Sequence, residues 1–261
     1  MTDPTGHAFR ADAFPAIVAH RGASSSRPEN TIPSFEEAVR LGAGIVEFDV
    51  RLSRDGVAMV MHDPTVDRTT DGTGFVHELT ASELSSLNAG TETEPTPVPT
   101  LAEVLAIMSG RAAIAVEIKN IPGEPAFEPV RQSIVEAVHA ELERFDGAVL
   151  VVSFNPSSIT ASKVLAPHVP TGFLSTDLVD PREALAFAVS AGHDMVLPGT
   201  WSAIPAGEAL VEEVHAAGLR IGTWTVDEAE TLRMLLDRGF DAVASNAPEM
   251  ALAVLAERTR S

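Results

Sequence analysis

Histidines and carboxylates lie at the ends of short apolar runs in the first half of this chain. His20 and His62 are each followed by a charged residue, Glu47 and Asp49 lie between them, and Glu117 lies further along. Histidine exchanges protons near neutral pH, whereas carboxylates bind divalent cations. This combination suits acid/base chemistry on a phosphate group that a cation holds.

Glu47 and Asp49 are two residues apart in an apolar run. In a strand, residues two apart share a face, and here Val46, Phe48 and Val50 occupy the other face. If this apolar face packs against helices, both carboxylates point into the interior of a barrel. The alternation therefore predicts a pair of buried acidic side chains.

Glu117 and Lys119 alternate in the same way in the run 114–119. Three carboxylates in one interior repel each other unless a cation or a basic group compensates them. Because the chain has no cysteine, oxygen ligands for a single Mg²⁺ or Ca²⁺ fit better than a structural zinc site. A salt-bridged polar layer is the competing interpretation, and it would be preferred if only one strand carried such residues.

An Asp-Gly turn at residues 55–56 predicts a hairpin that brings His62 back to the carboxylates. A two-residue turn there would place Asp49 opposite His62, with Cα atoms roughly 4.5 to 5.5 Å apart. Of the histidines, His20 and His62 combine acidic neighbours with such a position. The other histidines considered are expected to be structural: His77, His139, His168, His193 and His215.

Arg21 and Gly22 directly follow His20. Arginine offers a planar fork to phosphate oxygens, and glycine lets a ligand approach the backbone closely. Glu29 and Asn30 precede the first predicted helix. They either orient Arg21 and the metal ligands or cap that helix.

Strand-like and helix-like runs alternate almost to the end of the chain. The predicted strands are 14–20, 45–52, 112–119, 148–154, 171–175, 195–198, 219–226 and 241–246. The predicted helices are 34–41, 101–108, 129–144, 157–165, 182–191, 207–217, 227–238 and 248–257. Eight such pairs predict an α/β fold of the (β/α)8 TIM-barrel type, as one domain over 1–261. An open doubly wound sheet is disfavoured, because no Gly-rich phosphate-binding loop follows the first strand.

Residues 63–100 interrupt this alternation after the second strand and predict an insertion. Within it, Thr80 and Glu83 form a capping-box pattern that opens a short helix through Leu87. The insertion is either a substrate lid over the barrel mouth or a surface loop without a role in binding.

Composition limits the partners of this protein. With 18 basic and 37 acidic residues its net charge is −19, which repels nucleic acids. A small anionic substrate therefore requires local positive charge, from Arg21, Lys119 and a bound metal. No signal peptide and no apolar run of roughly 18 residues is visible, so we expect a cytoplasmic protein without a membrane span. Its oligomeric state is left open.

Several motifs together resemble the glycerophosphodiester phosphodiesterase family. The N-terminal motifs are His20-Arg21-Gly22, Pro28-Glu29-Asn30-Thr31, Glu47-x-Asp49-Val50 and Val60-Met61-His62-Asp63; Pro99-Thr100-Leu101, Glu117-Ile118-Lys119 and Trp224-Thr225-Val226 extend them. The resemblance runs from His20 to about Pro248. Two positions depart from the family pattern. The family commonly has asparagine at the position of Asp227. It commonly has Thr-Asp or Thr-Asn at the position of Ser245-Asn246.

The resemblance implies hydrolysis of glycerophosphodiesters to glycerol 3-phosphate and an alcohol by a TIM barrel. The resemblance implies that His20 is the general base and His62 the general acid. Glu47, Asp49 and Glu117 would bind one cation, and Arg21 and Lys119 would bind the phosphate. Trp224 would line the substrate pocket. Packing at a barrel end is the other interpretation of Trp224. Whether water or the glycerol 2-hydroxyl attacks phosphorus is left open.

Other functions fit the same residues less well. A lipid phosphodiesterase or lyase, of the lysophospholipase D, sphingomyelinase D or phosphoinositide phospholipase C type, would use the same barrel chemistry. A metal-dependent aldolase or isomerase of sugar phosphates would not explain the pairing of His20 with His62. A non-catalytic binding module would not need all of these motif residues.

Overall fold

The predicted strands close into a barrel. The computed structural model describes His7, Phe9 and residues 13–258. The strands of this part are β1 (Ala16–Ala19), β2 (Ile45–Leu52), β3 (Ala58–Val60), β4 (Ala113–Ile118), β5 (Val149–Ser153), β6 (Thr171–Ser175), β7 (Met195–Pro198), β8 (Arg220–Thr223) and β9 (Ala242–Ser245). All except β3 are parallel neighbours around the barrel, and the pairing of β1 with both β2 and β9 closes it. The predicted (β/α)8 barrel is confirmed.

Helices cover the outside of this barrel. They are α1 (Ile32–Leu41), α2 (Ala81–Ser85), α3 (Leu101–Met108), α4 (Ser133–Leu142), α5 (Pro156–Leu165), α6 (Pro181–Ala191), α7 (Thr200–Ala216), α8 (Ala229–Asp237) and α9 (Pro248–Arg258). The predicted helix at 207–217 begins earlier, at Thr200, and Gly207 breaks it with φ +65°. Among the helices described here, none has the length and apolar character needed to cross a bilayer.

Local side-chain signals set where the helices begin. Thr80 and Thr100 each form a capping box, with Glu83 and Glu103 respectively. In such a box, two backbone N–H groups of the first turn find side-chain acceptors. The predicted start of α2 is therefore confirmed, although this helix ends at Ser85 rather than at Leu87.

The alternation in β2 separates the barrel interior from the helix layer. Phe48 is fully buried and packs against Phe35 of α1, with ring centroids 5.5 Å apart. Because successive strand residues point to opposite faces, Glu47 and Asp49 point into the barrel. This orientation agrees with the sequence pattern.

The predicted register of the hairpin is wrong by one residue. β2 and β3 pair with Leu52 opposite Ala58, so Asp49 faces Met61, whose N–H donates to the Asp49 carbonyl at 3.0 Å. The loop holds the three residues 54–56, and Gly56 adopts φ +80°. A left-handed third residue is typical of three-residue hairpin loops.

Side-chain bonds of Ser53 account for this longer loop. Its Oγ donates to Asp55 Oδ1 at 2.7 Å and accepts from the Val57 N–H at 2.9 Å. His62 nevertheless returns to the site, since it lies beyond the last paired residue of β3. Its carbonyl accepts a hydrogen bond of 2.7 Å from Arg51 Nε.

The insertion after β3 packs on Met59 and Met61 around a small apolar core. This core consists of Met59, Met61, Val66, Val76, Leu84, Ala89 and Val98. Arg68 of the insertion reaches Glu29, with Nη1 2.8 Å from Oε2. The insertion therefore contributes a side chain to the region around the carboxylates.

Candidate active site

The three predicted carboxylates meet at the carboxyl end of the barrel. Glu47 and Asp49 come from β2, and the register places Asp49 beside Glu117 of β4. One oxygen from each carboxylate lies within 4.8 Å of the other two. All three side chains are buried, and Asp49 is completely so.

Two basic side chains partly compensate this charge. Lys119 Nζ lies 3.0 Å from Asp49 Oδ1 and also ion-pairs with Glu117, while Arg21 Nε lies 3.2 Å from Asp49 Oδ2. Burial opposes ionisation of Asp49, but these two cations hold its pKa well below the usual range. Burial raises the pKa of Glu47 to about 8, with a further contribution from Asp49, and burial raises that of Glu117 to about 7. These raised pKa values show that Lys119 and Arg21 do not fully stabilise three ionised carboxylates, and a bound divalent cation would favour the ionised forms.

Each carboxylate also has one buried oxygen that the described residues do not fully satisfy. These atoms are Glu47 Oε1, Asp49 Oδ1 and Glu117 Oε1. Glu47 Oε1 has no hydrogen-bond partner among the described residues, and the other two oxygens lie at ion-pair distance from Lys119. Buried polar atoms are usually well satisfied, so three incompletely satisfied oxygens in one place indicate a ligand site. An all-oxygen, anionic set of donors fits a hard cation such as Mg²⁺ or Ca²⁺.

His20 is held by a hydrogen-bond network from the last strand of the barrel. Its Nδ1 lies 2.7 Å from Asn246 Oδ1. The orientation of this amide follows from its other contact, since Asn246 Nδ2 donates to the Asp227 carboxylate, which can only accept, at 2.7 Å. His20 therefore carries its proton on Nδ1 and has a free lone pair on Nε2. Burial lowers the pKa of His20, as does the charge of Arg21, which favours the neutral ring and leaves Nε2 able to accept a proton.

His62 has a carboxylate partner instead. Its Nδ1 lies 2.6 Å from Asp63 Oδ1. Hydrogen bonds from Arg68 lower the pKa of Asp63 to about 2, so this carboxylate is ionised and accepts the Nδ1 hydrogen. Burial lowers the pKa of His62, although the nearby Asp49 opposes the shift. The free protein therefore holds His62 mainly in its neutral form at neutral pH.

The loop before α1 orients the site and does not merely cap the helix. Thr31 is the N-cap of α1. Asn30 Nδ2 donates to Asp49 Oδ2 at 2.8 Å, and Asn30 Oδ1 accepts from the Asp49 N–H at 3.2 Å. Glu29 Oε1 accepts from Arg21 Nη1 at 2.9 Å. Of the two interpretations of Glu29 and Asn30, the orienting role fits these contacts.

A cavity of about 130 Å³ opens beside these groups. The charged residues and histidines that line this cavity are His20, Arg21, Glu47, His62, Glu117 and Lys119. Trp224 and Phe154 form an apolar wall, with ring centroids 5.0 Å apart and an interplanar angle of 83°. Trp224 Nε1 donates to the Leu197 carbonyl at 3.0 Å, which fixes the indole. Seven of the sequence-predicted residues thus line one cavity. The other three, Asp49, Glu29 and Asn30, contact Arg21 without lining the cavity.

The five histidines expected to be structural do not line this cavity. His139 lies 2.7 Å from Ser162 Oγ, and His215 lies 2.8 Å from Asp241. Such local partners account for these two side chains without a role in chemistry.

Sequence reasoning missed Asn246, which holds His20, and Arg68, which holds the Asp63 partner of His62. Asn246 follows the last barrel strand, and a polar residue at that end of a TIM-barrel strand is a signal that it belongs to the site. Arg68 lies in the insertion, where no spacing pattern distinguishes it from other surface arginines. Phe154, opposite Trp224, was also missed, because an aromatic residue after an apolar strand is common.

Comparison with known proteins agrees with this geometry. Residues 20–250 match the family model described as the glycerophosphoryl diester phosphodiesterase family. A glycerophosphodiester phosphodiesterase of Caldanaerobacter subterraneus is 35% identical over 240 residues, which cover 89% of this chain and 94% of the relative. One of Bacillus subtilis is 31% identical over 251 residues, covering 89% of this chain and 84% of the relative.

Solved structures show the same fold. An Oleispira antarctica phosphodiesterase, in complex with the product sn-glycerol-3-phosphate, superposes with a TM-score of 0.84 at 26% identity. The match covers 94% of this chain and 98% of that one. The family match runs from His20, directly after β1, through the remaining barrel strands and includes both histidines and all three carboxylates. This chain therefore belongs to the glycerophosphoryl diester phosphodiesterase family and is a phosphodiesterase.

Proposed function

We propose that this protein hydrolyses glycerophosphodiesters to sn-glycerol 3-phosphate and an alcohol, with the help of a divalent cation and two histidines. The observation that carries this proposal is the single cavity that both His20 and His62 line together with Glu47, Glu117 and Lys119. The product bound to the Oleispira antarctica relative supports the same reaction here.

Glu47, Asp49 and Glu117 would hold the cation through buried carboxylate oxygens that the described residues do not fully satisfy. When bound, this cation neutralises charge on the phosphoryl group as the reaction proceeds. Arg21 and Lys119 lie at the same carboxylates and provide two further positive charges for phosphoryl oxygens. This local positive charge lets an anionic substrate bind despite the net charge of −19.

The two histidines divide the proton transfers. His20 Nε2 takes the proton of the nucleophile, while Asn246 keeps the other ring nitrogen protonated. His62 gives a proton to the leaving alkoxide, and Asp63 holds its ring in place. Since His62 is mainly neutral in the free protein, it must gain a proton when substrate binds. The negative charge of the phosphodiester favours this, because an anion raises the pKa of a nearby imidazole.

The nucleophile is either water or the 2-hydroxyl of the glycerol group, which would form a cyclic phosphate that water then opens. A diester of propane-1,3-diol, which lacks the 2-hydroxyl, separates these routes. Hydrolysis of this analogue at the normal rate indicates direct attack by water, whereas its complete resistance indicates the cyclic route.

The test of the reaction is a coupled assay for glycerol 3-phosphate. Choline, ethanolamine and glycerol diesters are supplied with and without a chelator. We expect glycerol 3-phosphate from at least one diester, loss of the activity with the chelator, and its return with added Mg²⁺ or Ca²⁺. No release from any of the three diesters would contradict the proposal.

A small-molecule phosphodiester is the partner that we propose, and the acidic net charge argues against nucleic acid. The cytoplasmic location and the single domain over 1–261 that the sequence indicates stay predictions.

A further inference from the structure

Arg51 carries a buried charge that the proposed reaction does not use. It follows Glu47 and Asp49 along the interior face of β2, because residues two apart in a strand share a face. Its side chain is 6% exposed, and its guanidinium bonds to two other segments of the chain. A buried ion pair often adds little to stability compared with apolar residues of the same size. What the guanidinium holds in place therefore indicates its role.

One of these segments carries His62. Strand β3 ends at Val60, and the Met61 N–H donates the next hydrogen bond, to the Asp49 carbonyl at 3.0 Å. One residue further on, Arg51 Nε donates to the His62 carbonyl at 2.7 Å. The arginine side chain thus continues the attachment to β2 past the point where backbone pairing stops, and it does so at the histidine itself.

The other segment is the loop between β4 and α4, and Glu124 lies in it. Arg51 Nη1 lies 2.6 Å from Glu124 Oε2, and Nη2 lies 3.1 Å from Oε1. Such a bidentate pair fixes the plane of the guanidinium, since the fork of an arginine matches the two oxygens of a carboxylate. The Glu124 N–H donates to the Ile121 carbonyl at 3.1 Å, so a turn holds this residue in the loop. Glu124 thus sets the direction in which Arg51 Nε points.

Lys119, at the start of the same loop, has attachments of its own. Its N–H donates to the Val50 carbonyl at 3.1 Å, and its Nζ lies 3.0 Å from Asp49 Oδ1. These bonds do not pass through Arg51. Loss of the Arg51 guanidinium therefore displaces His62 and leaves the proposed phosphate-binding lysine in place, so an experiment can separate the two.

We propose that Arg51 is a positioning residue for His62, and that Glu124 orients Arg51 for this task. The inference rests on the proposed function, in which His62 protonates the leaving alkoxide. Proton transfer requires the donor nitrogen within hydrogen-bond reach of the leaving oxygen. A displacement of about 1 Å is enough to cost roughly 100-fold in rate. The bond to the His62 carbonyl limits this displacement, while Asp63 orients the ring.

The kinetic test compares two substrates with different leaving groups. They are glycerophosphocholine, whose alkoxide needs a proton, and the 4-nitrophenyl ester of glycerol 3-phosphate, whose nitrophenolate leaves without one. Arg51→Met keeps much of the length of the side chain and removes its donors. We expect kcat of this variant to fall about 10- to 100-fold on glycerophosphocholine and less than about threefold on the nitrophenyl ester. A role in folding alone would lower the two rates by the same factor.

Glu124→Gln keeps the shape of the pair and removes its charge. It should lower kcat on glycerophosphocholine about 3- to 10-fold, because a charge-assisted hydrogen bond is lost, again with little effect on the nitrophenyl ester. Since Glu124 acts through Arg51, the double variant should be no slower than Arg51→Met. The matched control is Arg182→Met, which breaks an exposed bidentate pair with Glu213 and should change neither rate.

The outcomes separate the inference from the proposed function. Equal losses on the two substrates overturn the inference, as does a wild-type kcat in Arg51→Met. Losses that multiply in the double variant overturn the part assigned to Glu124. Should Arg51→Met fail to fold, the ratio of the two rates in Glu124→Gln decides in the same way. Failure of the wild type on both substrates contradicts the proposed reaction, and the position of His62 is then decided by NMR.

NMR reports on His62 without any activity. The Cε1–H signal of its ring is identified by its loss in His62→Gln. In Arg51→Met this signal should shift or broaden, because the ring no longer holds one position. The signal of His215, which bonds to Asp241 away from the site, should stay unchanged. An unchanged His62 signal overturns the inference whether or not the protein is active.

Discussion

Arg68 and Asp63 form a bidentate ion pair, with Nε 2.6 Å from Oδ2 and Nη2 3.1 Å from Oδ1. The same Asp63 carboxylate holds Nδ1 of His62 at 2.6 Å. On its other side Arg68 Nη2 lies 2.7 Å from Glu29 Oε1, an oxygen that also accepts from Arg21. Arg68 of the insertion thereby holds two site residues in place. They are Asp63, the partner of the proposed acid His62, and Glu29, the partner of the proposed phosphate-binding residue Arg21.

Replacing Arg68 with alanine should lower kcat by about 10- to 100-fold, a usual cost of losing a partner that orients an active-site group. Arg68→Lys should restore little, because an ammonium cannot bind both carboxylates through paired hydrogen bonds. The matched control is Arg182→Ala, which breaks an exposed ion pair with Glu213 away from the site. If Arg68 acts through His62, a nitrophenyl ester should rescue Arg68→Ala, since nitrophenolate leaves without a proton. A fall in rate that the activated ester does not rescue would contradict this route.

Replacing His20 or His62 with alanine should lower kcat by about 10² to 10⁴-fold while the protein stays folded. With the nitrophenyl substrate, the variant that lacks the acid should recover and the variant that lacks the base should not. We expect recovery of His62→Ala. His215→Ala, which removes a histidine from an outlying contact with Asp241, is the control. Equal rescue of both variants, or of neither, would mean that the two histidines do not divide the roles in this way.

Cation binding should be visible without any activity measurement. A cation that binds only the folded state stabilises it by about 2.7 kcal/mol at a concentration of 100 times Kd. We therefore expect Mg²⁺ or Ca²⁺ to raise the thermal midpoint of the wild type. Glu47→Gln and Glu117→Gln should reduce this rise, whereas Glu213→Gln should not. A thermal midpoint of the wild type that neither ion changes would contradict the cation site.

Asp227, a departure from the family pattern, accepts a hydrogen bond of 2.7 Å from Asn246, which follows the other departure, Ser245. Asn246→Asp alone would place two carboxylates at this distance, and their repulsion should lower both the thermal midpoint and kcat. Adding Asp227→Asn should restore most of both quantities, because one carboxylate and one amide are present again. A double-mutant cycle measures this coupling. Purely additive losses would show that the pair does not act together on His20.

Acid should destabilise the fold through His139, which is remote from the proposed cation site. Burial lowers the pKa of His139 to about 4, and the neighbouring His168 and His7 contribute. Below pH 6.5 the unfolded chain binds a proton there that the folded chain takes up only near pH 4. Stability therefore falls as the pH drops through this window, by up to roughly 3 kcal/mol. His139→Gln should lose less stability between pH 7 and 4.5 than the wild type in thermal unfolding. The same loss in both proteins would contradict this contribution.

The periodicity of the apolar residues and the local helix-capping patterns were enough to predict much of the fold. The alternation around Glu47 and Asp49 predicted which face they occupy, because a strand has only two faces and the apolar residues take one of them. The pattern at Thr80 and Glu83 predicted the start of α2, since a capping box lies within one turn of chain. Both features depend on residues fewer than five positions apart.

The tertiary structure decided what the sequence left open or hid. The hairpin register depended on where Ser53 hydrogen-bonds, which the Asp-Gly signal does not encode. The contact of His20 with Asn246 joins residues from the two ends of the chain, and that of Arg68 with Glu29 joins an insertion to another loop. Closing the barrel brings such residues together. Their pairing depends on the three-dimensional path of the chain, and one-dimensional spacing carries no signal for it.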